Sequence, residues 1–486
     1  MEQTDKAFIT LADGSMNEIV SNSFPGNEDT NIDGAIFSRE DLTLNGSGTL
    51  KLTSSAHDIV SRDDLVLTGG VYQIESEKQG LSGKESVRIV DGTFTITSGT
   101  DAIHSEDTDE DTKGFVYIAG GVLTLDAGGD GISSSYVVQA DGGNFDISTS
   151  STETDTSTKG IKAQKYVILK DGTYQLATAD DGIHCNGNIY VCGGTYSINS
   201  GDDGIHADDQ TVVLDGEIDI TNCYEGIEGQ SVTIQDGTIK IVSNDDGLNA
   251  AGGNDQSSMG RPGENTFQED SDAYIDILGG TIEIDAKGDG IDSNGDLSVS
   301  GGVIYVSGSG DDGNGALDYD GTAIITGGTV VAAGMSGMAQ NFGSDSTQGT
   351  MFINLDTDQS GEVALKDTDG TVLVSYTPIR DFNSVVISCA ELKEGAAYTL
   401  TTGSESEEIT MSSLIYSEGQ SMQGPGQGQG GPGNDDFDPD SQNGSNGNDS
   451  SSGQKGPQGG MKNGEQMQKP QGQSGENGSG TQGSAT

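Results

Sequence analysis

Two adjacent acids, a glycine, a branched apolar residue and a polar residue recur as Asp180-Asp181-Gly182-Ile183-His184, Asp202-Asp203-Gly204-Ile205-His206, Tyr224-Glu225-Gly226-Ile227-Glu228 and Asp245-Asp246-Gly247-Leu248-Asn249. The glycines lie 22, 22 and 21 residues apart. Calcium is a hard cation that gathers roughly six to eight oxygen ligands from carboxylates, carbonyls and water. Acids at the same place in stacked repeats lie about 5 Å apart, so two doubled pairs can converge on one ion. Asp180, Asp181, Asp202 and Asp203 form the best such quartet; Glu225, Glu228, Asp245 and Asp246 continue the row. Asp289 and Asp292, then Asp311 and Asp312, extend it in later repeats. A single Asp-Gly is an ordinary turn, with Asp bonding its own backbone and Gly supplying positive φ. Doubled acids in register ask for more, because like charges so close repel unless a cation or a proton offsets them. Ca²⁺ is therefore the expected cofactor.

His104, His184 and His206 follow the Gly-Ile step or its equivalent, and two of them fall in neighbouring repeats. They suit a transition metal or hydrogen bonds to the acidic turns. With harder ligands beside them and no cysteine in register, hydrogen bonding is the favoured role. Cys185, Cys192, Cys223 and Cys389 make no CxxC pair and no disulfide framework, so buried or unpaired thiols are expected.

Holding these acids in register requires a repeating scaffold. The Gly-Ile step recurs, with substitutions, at Ala35-Ile36, Asp58-Ile59, Gly80-Leu81, Ala102-Ile103, Gly131-Ile132, Gly160-Ile161, Gly290-Ile291 and the Asp311-Asp312-Gly313 segment, giving about twelve repeats with the four above. A second marker falls between them, for example Asp91-Gly92, Gly142-Gly143, Gly193-Gly194 and Gly301-Gly302. Around it, alternating stretches such as Val232-Thr233-Ile234 and Ile239-Lys240-Ile241 read as half-buried strands. Each repeat thus holds three short strands, before the second marker, after it, and at the Gly-Ile step. Some 22 residues cannot also hold a helix, so the expected fold is all-β, a parallel β-helix of about twelve coils spanning roughly 55 to 60 Å. Tyr72, Phe94, Leu123, Phe145, Tyr174, Tyr196, Ile218, Ile239, Ile282 and Ile304 share one position after the second marker and should stack inside. Tyr117 and Tyr190 should face out.

The β-helix is expected over residues 1–345, a small antiparallel β cap or sandwich unit over 346–415, and a disordered Gly/Gln/Ser-rich tail over 416–486. Polar insertions near Glu106–Lys113 and Ser148–Thr158, and a longer one from Asn249 to about Ser271, should bulge from the corners.

With 21 basic and 78 acidic residues the net charge is 21 − 78 = −57, which repels nucleic acid and anionic lipid and attracts divalent cations. No run of 18 apolar residues and no secretion signal is visible, so membrane insertion is not expected. Richness in Asn, Asp, Gly and Thr with little Lys suggests a secreted or cell-surface protein, here taken to be a monomer.

Three functional classes fit. A calcium-dependent polysaccharide lyase needs a Lys or Arg beside the metal to take the proton α to a uronate carboxylate, and Lys240 is a poor candidate. A binding module needs no base, and could use calcium to bridge the acidic row to anionic or hydroxyl-rich sugars. A structural or adhesive surface rod would use calcium only to hold its turns. Tryptophan is absent, which argues against a flat aromatic platform.

The repeated Asp-Asp-Gly-Ile-His, together with Asp41–Leu50, Asp245–Gly253, Asn314–Gly321 and Ser336–Gln340, resembles the β-helical carbohydrate-binding domain proteins of cellulolytic bacteria over about residues 30–400. The resemblance implies a right-handed parallel β-helix, bound calcium, and binding of plant-type polysaccharide, cellulose or pectic acids, without catalysis. It also implies distant similarity to calcium-dependent pectate lyases, whose metal-binding Asp-Asp pattern the pairs at 180–181 and 202–203 match and whose catalytic lysine has no convincing counterpart here.

Overall fold

The computed structural model describes residues 5–22, 32–150, 157–251 and 272–419. The middle of the Ser148–Thr158 insertion (151–156), most of the Asn249–Ser271 insertion (252–271) and the tail from 420 lie outside the described residues. The protein is all-β, without a helix among the described residues, and its long sheets are built from parallel strands.

Each repeat contributes three short strands, and each strand pairs in parallel with its counterpart one repeat on. Asn188–Val191 pairs with 210–213, Thr195–Asn199 with Glu217–Cys223, and Ile183–Cys185 with 205–207. Three faces result: a first before the second marker, a second after it, and a third at the Gly-Ile step. Among the described residues the second face holds thirteen parallel strands, from Met16–Ser21 to Thr329–Gly334, so the repeat begins earlier than the first Gly-Ile step.

Alternation decides what is buried. On the second face Tyr72, Phe94, Leu123, Phe145, Tyr174, Tyr196, Ile218, Ile239, Ile282 and Ile304 pair rung to rung, all at most 2% exposed. Tyr174 and Tyr196 stack with ring centroids 4.6 Å apart. Each tyrosine hydroxyl is satisfied by a turn carbonyl, as Tyr196 donates to Gly193 O at 2.7 Å. The residues between, such as Thr195 and Ser197, face out.

The Gly-Ile step is a close approach between repeats. A Cβ on Gly204 would meet Gly226 O at 2.6 Å and Ile220 Cδ1 at 2.7 Å, which is why glycine dominates there. Ile183, Ile205, Ile227, Leu248 and Ile291 then insert into the core.

Beyond Thr329–Gly334 the direction of pairing changes. Phe382–Ser388 joins that strand antiparallel and is itself paired antiparallel with Thr350–Gln359, which pairs with Ile415–Glu418. Val363–Asp367, Val372–Tyr376, Ala397–Thr402 and Glu405–Thr410 make a separate antiparallel sheet, whose buried Val363, Leu365 and Leu400 share a second core with Val331, Ile353 and Val385 of the long sheet.

Candidate metal-binding ladder

Two vertical columns flank the Gly-Ile step on the third face. In the turn column Asp130, Lys159, Asp181, Asp203, Glu225, Asp246 and Asp289 succeed one another, tied by backbone bonds such as Gly182 N to Asp203 O (2.9 Å) and Gly247 N to Asp289 O (2.9 Å). In the strand column Lys162, His184, His206, Glu228, Asn249, Asp292 and Asp318 are in register.

The two oxygens of a turn-column carboxylate do different work. One accepts the backbone N–H of the next repeat: Asp181 Oδ1 from Asp203 N at 3.1 Å, Asp203 Oδ1 from Glu225 N at 3.0 Å, Asp246 Oδ1 from Asp289 N at 2.6 Å. That is turn chemistry passed from repeat to repeat. The other oxygen faces the strand column, and what it meets changes along the ladder.

In the earlier repeats it meets a donor. His104 Nδ1 lies 2.8 Å from Asp101 Oδ2, His184 Nδ1 2.8 Å from Asp181 Oδ2, and His206 Nδ1 3.1 Å from Asp203 Oδ2. Lys159 reaches Asp181 Oδ2 at 2.5 Å and Asp180 Oδ1 at 2.9 Å. Burial alone would raise the Asp181 pKa, but the His184 hydrogen bond and the Lys159 charge outweigh it and hold the carboxyl well below the usual range. Burial would likewise lower Lys159, yet Asp181 and Asp180 keep it protonated far into base. Lys162 lies 3.6 Å from Asp130 Oδ2.

In the later repeats carboxylates meet one another. Asp246, Asp289 and Asp292 bring one oxygen each within 4.8 Å of the other two, and all three are buried. Desolvation first, then mutual repulsion, raises Asp246 and Asp292 well above the carboxylate range; desolvation pushes Asp289 to about 7 and Glu225, farther down the row, to about 8. Asn249, 5% exposed, donates through Nδ2 to Glu225 Oε2 at 2.6 Å, and its Oδ1 has no hydrogen-bond partner. Its column neighbours are Glu228 and Asp292. With Asn249 next to Asp292 in the strand column, the leftover acceptor and the three carboxylates make a set of hard oxygens whose chemistry fits calcium. Calcium there would supply positive charge to Asp246, Asn249, Asp289 and Asp292.

Asp180, Asp181 and Asp202 also converge within 4.8 Å, but Lys159 bonds two of them. Asp203, His206 and Glu228 make a mixed cluster, with Glu228 Oε2 3.2 Å from His206 Nδ1. Asp245 precedes Asp246, and a Cβ on Gly288 would press on both of their side chains. Asp311 and Asp312 are exposed, and Asp311 Oδ1 accepts Gly313 N at 2.9 Å, a turn hydrogen bond. The repeat equivalent in that rung is Ala316-Leu317, since Ile291 N bonds Ala316 O and Gly315 N bonds Asp289 Oδ1. The strand-column acid is therefore Asp318, pushed by desolvation to about 6.

Asp130, Lys159, Lys162 and Asp318 escape a search for acid pairs. Lys159 precedes a Gly-Ile step, the place that holds an acid elsewhere, and that position was its only signal. Asp318 follows an Ala-Leu step in which Ala replaces Gly. The four cysteines are free thiols, three of them buried. Lys240 lies on the second face with a side chain 60% exposed, 3.9 Å from Glu283.

Stacked parallel strands with an acid-lined edge define an all-β repeat protein. A family model described as carbohydrate-binding domain-containing protein matches residues 1–204 and 201–369, and the chain belongs to that family. No curated protein and no solved structure matches the chain.

Proposed function

We propose that the chain is a right-handed parallel β-helix, loaded with calcium, that binds plant-type polysaccharide such as cellulose or pectic glycans without cleaving it, outside the cell or on its surface. The observation that carries the calcium half is the buried Asp246–Asp289–Asp292 cluster with the unpartnered Asn249 Oδ1. Family membership carries the carbohydrate half. Because Asp246, Asp289 and Asp292 are 8%, 6% and 6% exposed, the ion there would brace successive repeats rather than touch a glycan. The basic side chains also fit binding better than elimination. Lys159 is held protonated between two carboxylates, and Lys240 is exposed on the second face rather than on the face of the ladder.

Pull-down on cellulose and on pectin, with calcium and with chelator, tests the reading alongside metal analysis of the purified protein. Retention on either glycan with one or more bound calcium ions is expected. Failure to bind any glycan defeats the carbohydrate half, and a metal-free protein whose melting point ignores calcium defeats the other.

A further inference from the structure

We propose that tyrosines on the outer side of the first face form the glycan platform, and that its ligand is an uncharged, extended β-linked polysaccharide. This rests on the carbohydrate-binding reading above and assigns it a surface. Five successive rungs run from Phe115–Ile118 through Val137–Ala140, Tyr166–Leu169 and Asn188–Val191 to 210–213. Their inward residues fill the core. Their outward positions, two per rung, carry Phe115, Tyr117, Tyr166 and Tyr190 together with the carboxamides Asn188 and Gln210, and hold no Asp, Glu, Lys or Arg. In a chain with 78 acids and 21 bases, a run of outward strand positions without a charged residue is a departure from the surroundings. The outward strand positions of the same rungs on the second face carry Thr, Ser, Asn, Gln, Asp and Glu with Val122 and Ala177, and no aromatic residue.

The rings are placed to be used. Tyr166 is 39% exposed, and its ring centroid lies 6.5 Å from that of Tyr190 on the next rung, with 31° between the planes. Tyr117 anchors its hydroxyl on Asp141 Oδ2 at 2.8 Å, and Arg88 covers Phe115 at 5.0 Å, closing the strip at one end. At the other end Gln210 donates to the Tyr274 hydroxyl at 2.9 Å. Five rungs span about 19 Å at a spacing near 4.8 Å, long enough for several sugar rings laid along the stacking axis. Pyranose rings with equatorial substituents present flat C–H faces to aromatic rings, and their hydroxyls can bond the carboxamides between them. Charge selects among glycans: a polyuronate meets the −57 field of the protein, and the cations bordering this strip are paired, Arg88 with Asp64 and Lys170 with Asp141, whereas a neutral chain meets no such repulsion. Tyrosine thus supplies the aromatic surface in a chain without tryptophan.

The test measures binding of hydroxyethylcellulose and of polygalacturonate, in calcium, to the full chain and to Tyr166→Ala/Tyr190→Ala and Tyr166→Phe/Tyr190→Phe, with melting temperature and sedimentation recorded for each. The alanine pair should bind hydroxyethylcellulose at least about tenfold more weakly at an unchanged melting temperature, and the phenylalanine pair should keep most of the affinity. Hydroxyethylcellulose binding untouched by the alanine pair overturns the platform while leaving carbohydrate binding intact. A change of oligomeric state in the alanine pair, with glycan affinity unchanged, overturns it in favour of a face between copies of this chain. A wild-type chain that binds polygalacturonate but not hydroxyethylcellulose overturns the choice of a neutral ligand, and one that binds neither glycan removes the parent reading as well.

Discussion

Lys159 Nζ lies 2.5 Å from Asp181 Oδ2, and Lys159 itself occupies the turn-column place that acids fill in the repeats on either side. The ladder therefore contains a built-in cation. Asp181 is 0% exposed, and it keeps a charge in the core edge because Lys159 and His184 both reach it. Removing one partner of a buried pair leaves the other charge stranded, at a cost of about 3–5 kcal/mol. Lys159→Met should lower stability by that order in denaturant unfolding. Lys159→Asp extends the acid column instead, and its lost melting temperature should return with calcium more than that of Lys159→Met. Equal behaviour of the two variants in calcium would show that the position does not feed a metal site.

Stability should depend on pH in a direction set by the later repeats. Glu225 and Asp289 have pKa values raised to about 8 and about 7, above their unfolded values of 4.5 and 3.8. Their protonated forms favour the fold, so their contribution is complete below about pH 4 and is lost as pH rises through 7 to 8. Without calcium the melting temperature should fall across that window. With calcium the fall should vanish or reverse, because the ion binds the ionised form. Asp289→Asn should flatten the calcium-free slope. A slope that neither calcium nor this substitution alters would detach the cluster from the effect. Asp58, buried where other repeats have glycine and pushed to about 7 by desolvation and then Glu75, adds to the same fall, but Asp58→Asn should change it equally with and without calcium.

The glycine steps make a purely steric prediction. Gly204→Ala places a methyl 2.6 Å from Gly226 O, and two backbones must separate to admit it. A loss of about 1–3 kcal/mol is expected by thermal unfolding, with little change in the strand signal of circular dichroism. A neutral substitution would mean that adjacent repeats are free to slide.

Much of this was legible in the sequence, because a repeat repeats its physics. The Tyr72 to Ile304 stack, the outward Tyr117 and Tyr190, and three strands per repeat all follow from period-2 alternation between glycine markers. The ladder was harder to read. Asp180-Asp181 and Asp245-Asp246 are identical words, yet one pair faces Lys159 and His184 and the other faces Asp289 and Asp292. The difference comes from neighbours 21 and 43 residues away in the chain, set by which residue each adjoining repeat places in the column. The Asp311-Asp312-Gly313 segment was out of phase for a related reason: it copies the doubled-acid word, while the Cβ-tolerant Ala316 takes the structural place of the glycine.

Catalysis is the remaining question that side chains can answer. Elimination from a uronide needs a base able to accept a proton near neutral pH, standing beside the metal. Among the described residues Lys159 is the lysine buried against the ladder, and Asp181 and Asp180 raise its pKa, which makes it an ion-pair partner rather than a base. Lys240 is 60% exposed on the second face, away from both columns. The protein should therefore release no unsaturated uronide from polygalacturonate, by ultraviolet absorbance in calcium at pH 7 to 9, above the rate of buffer alone. Steady product formation abolished by Lys159→Ala, in a variant shown by circular dichroism to stay folded, would reverse this and make the ladder an active site.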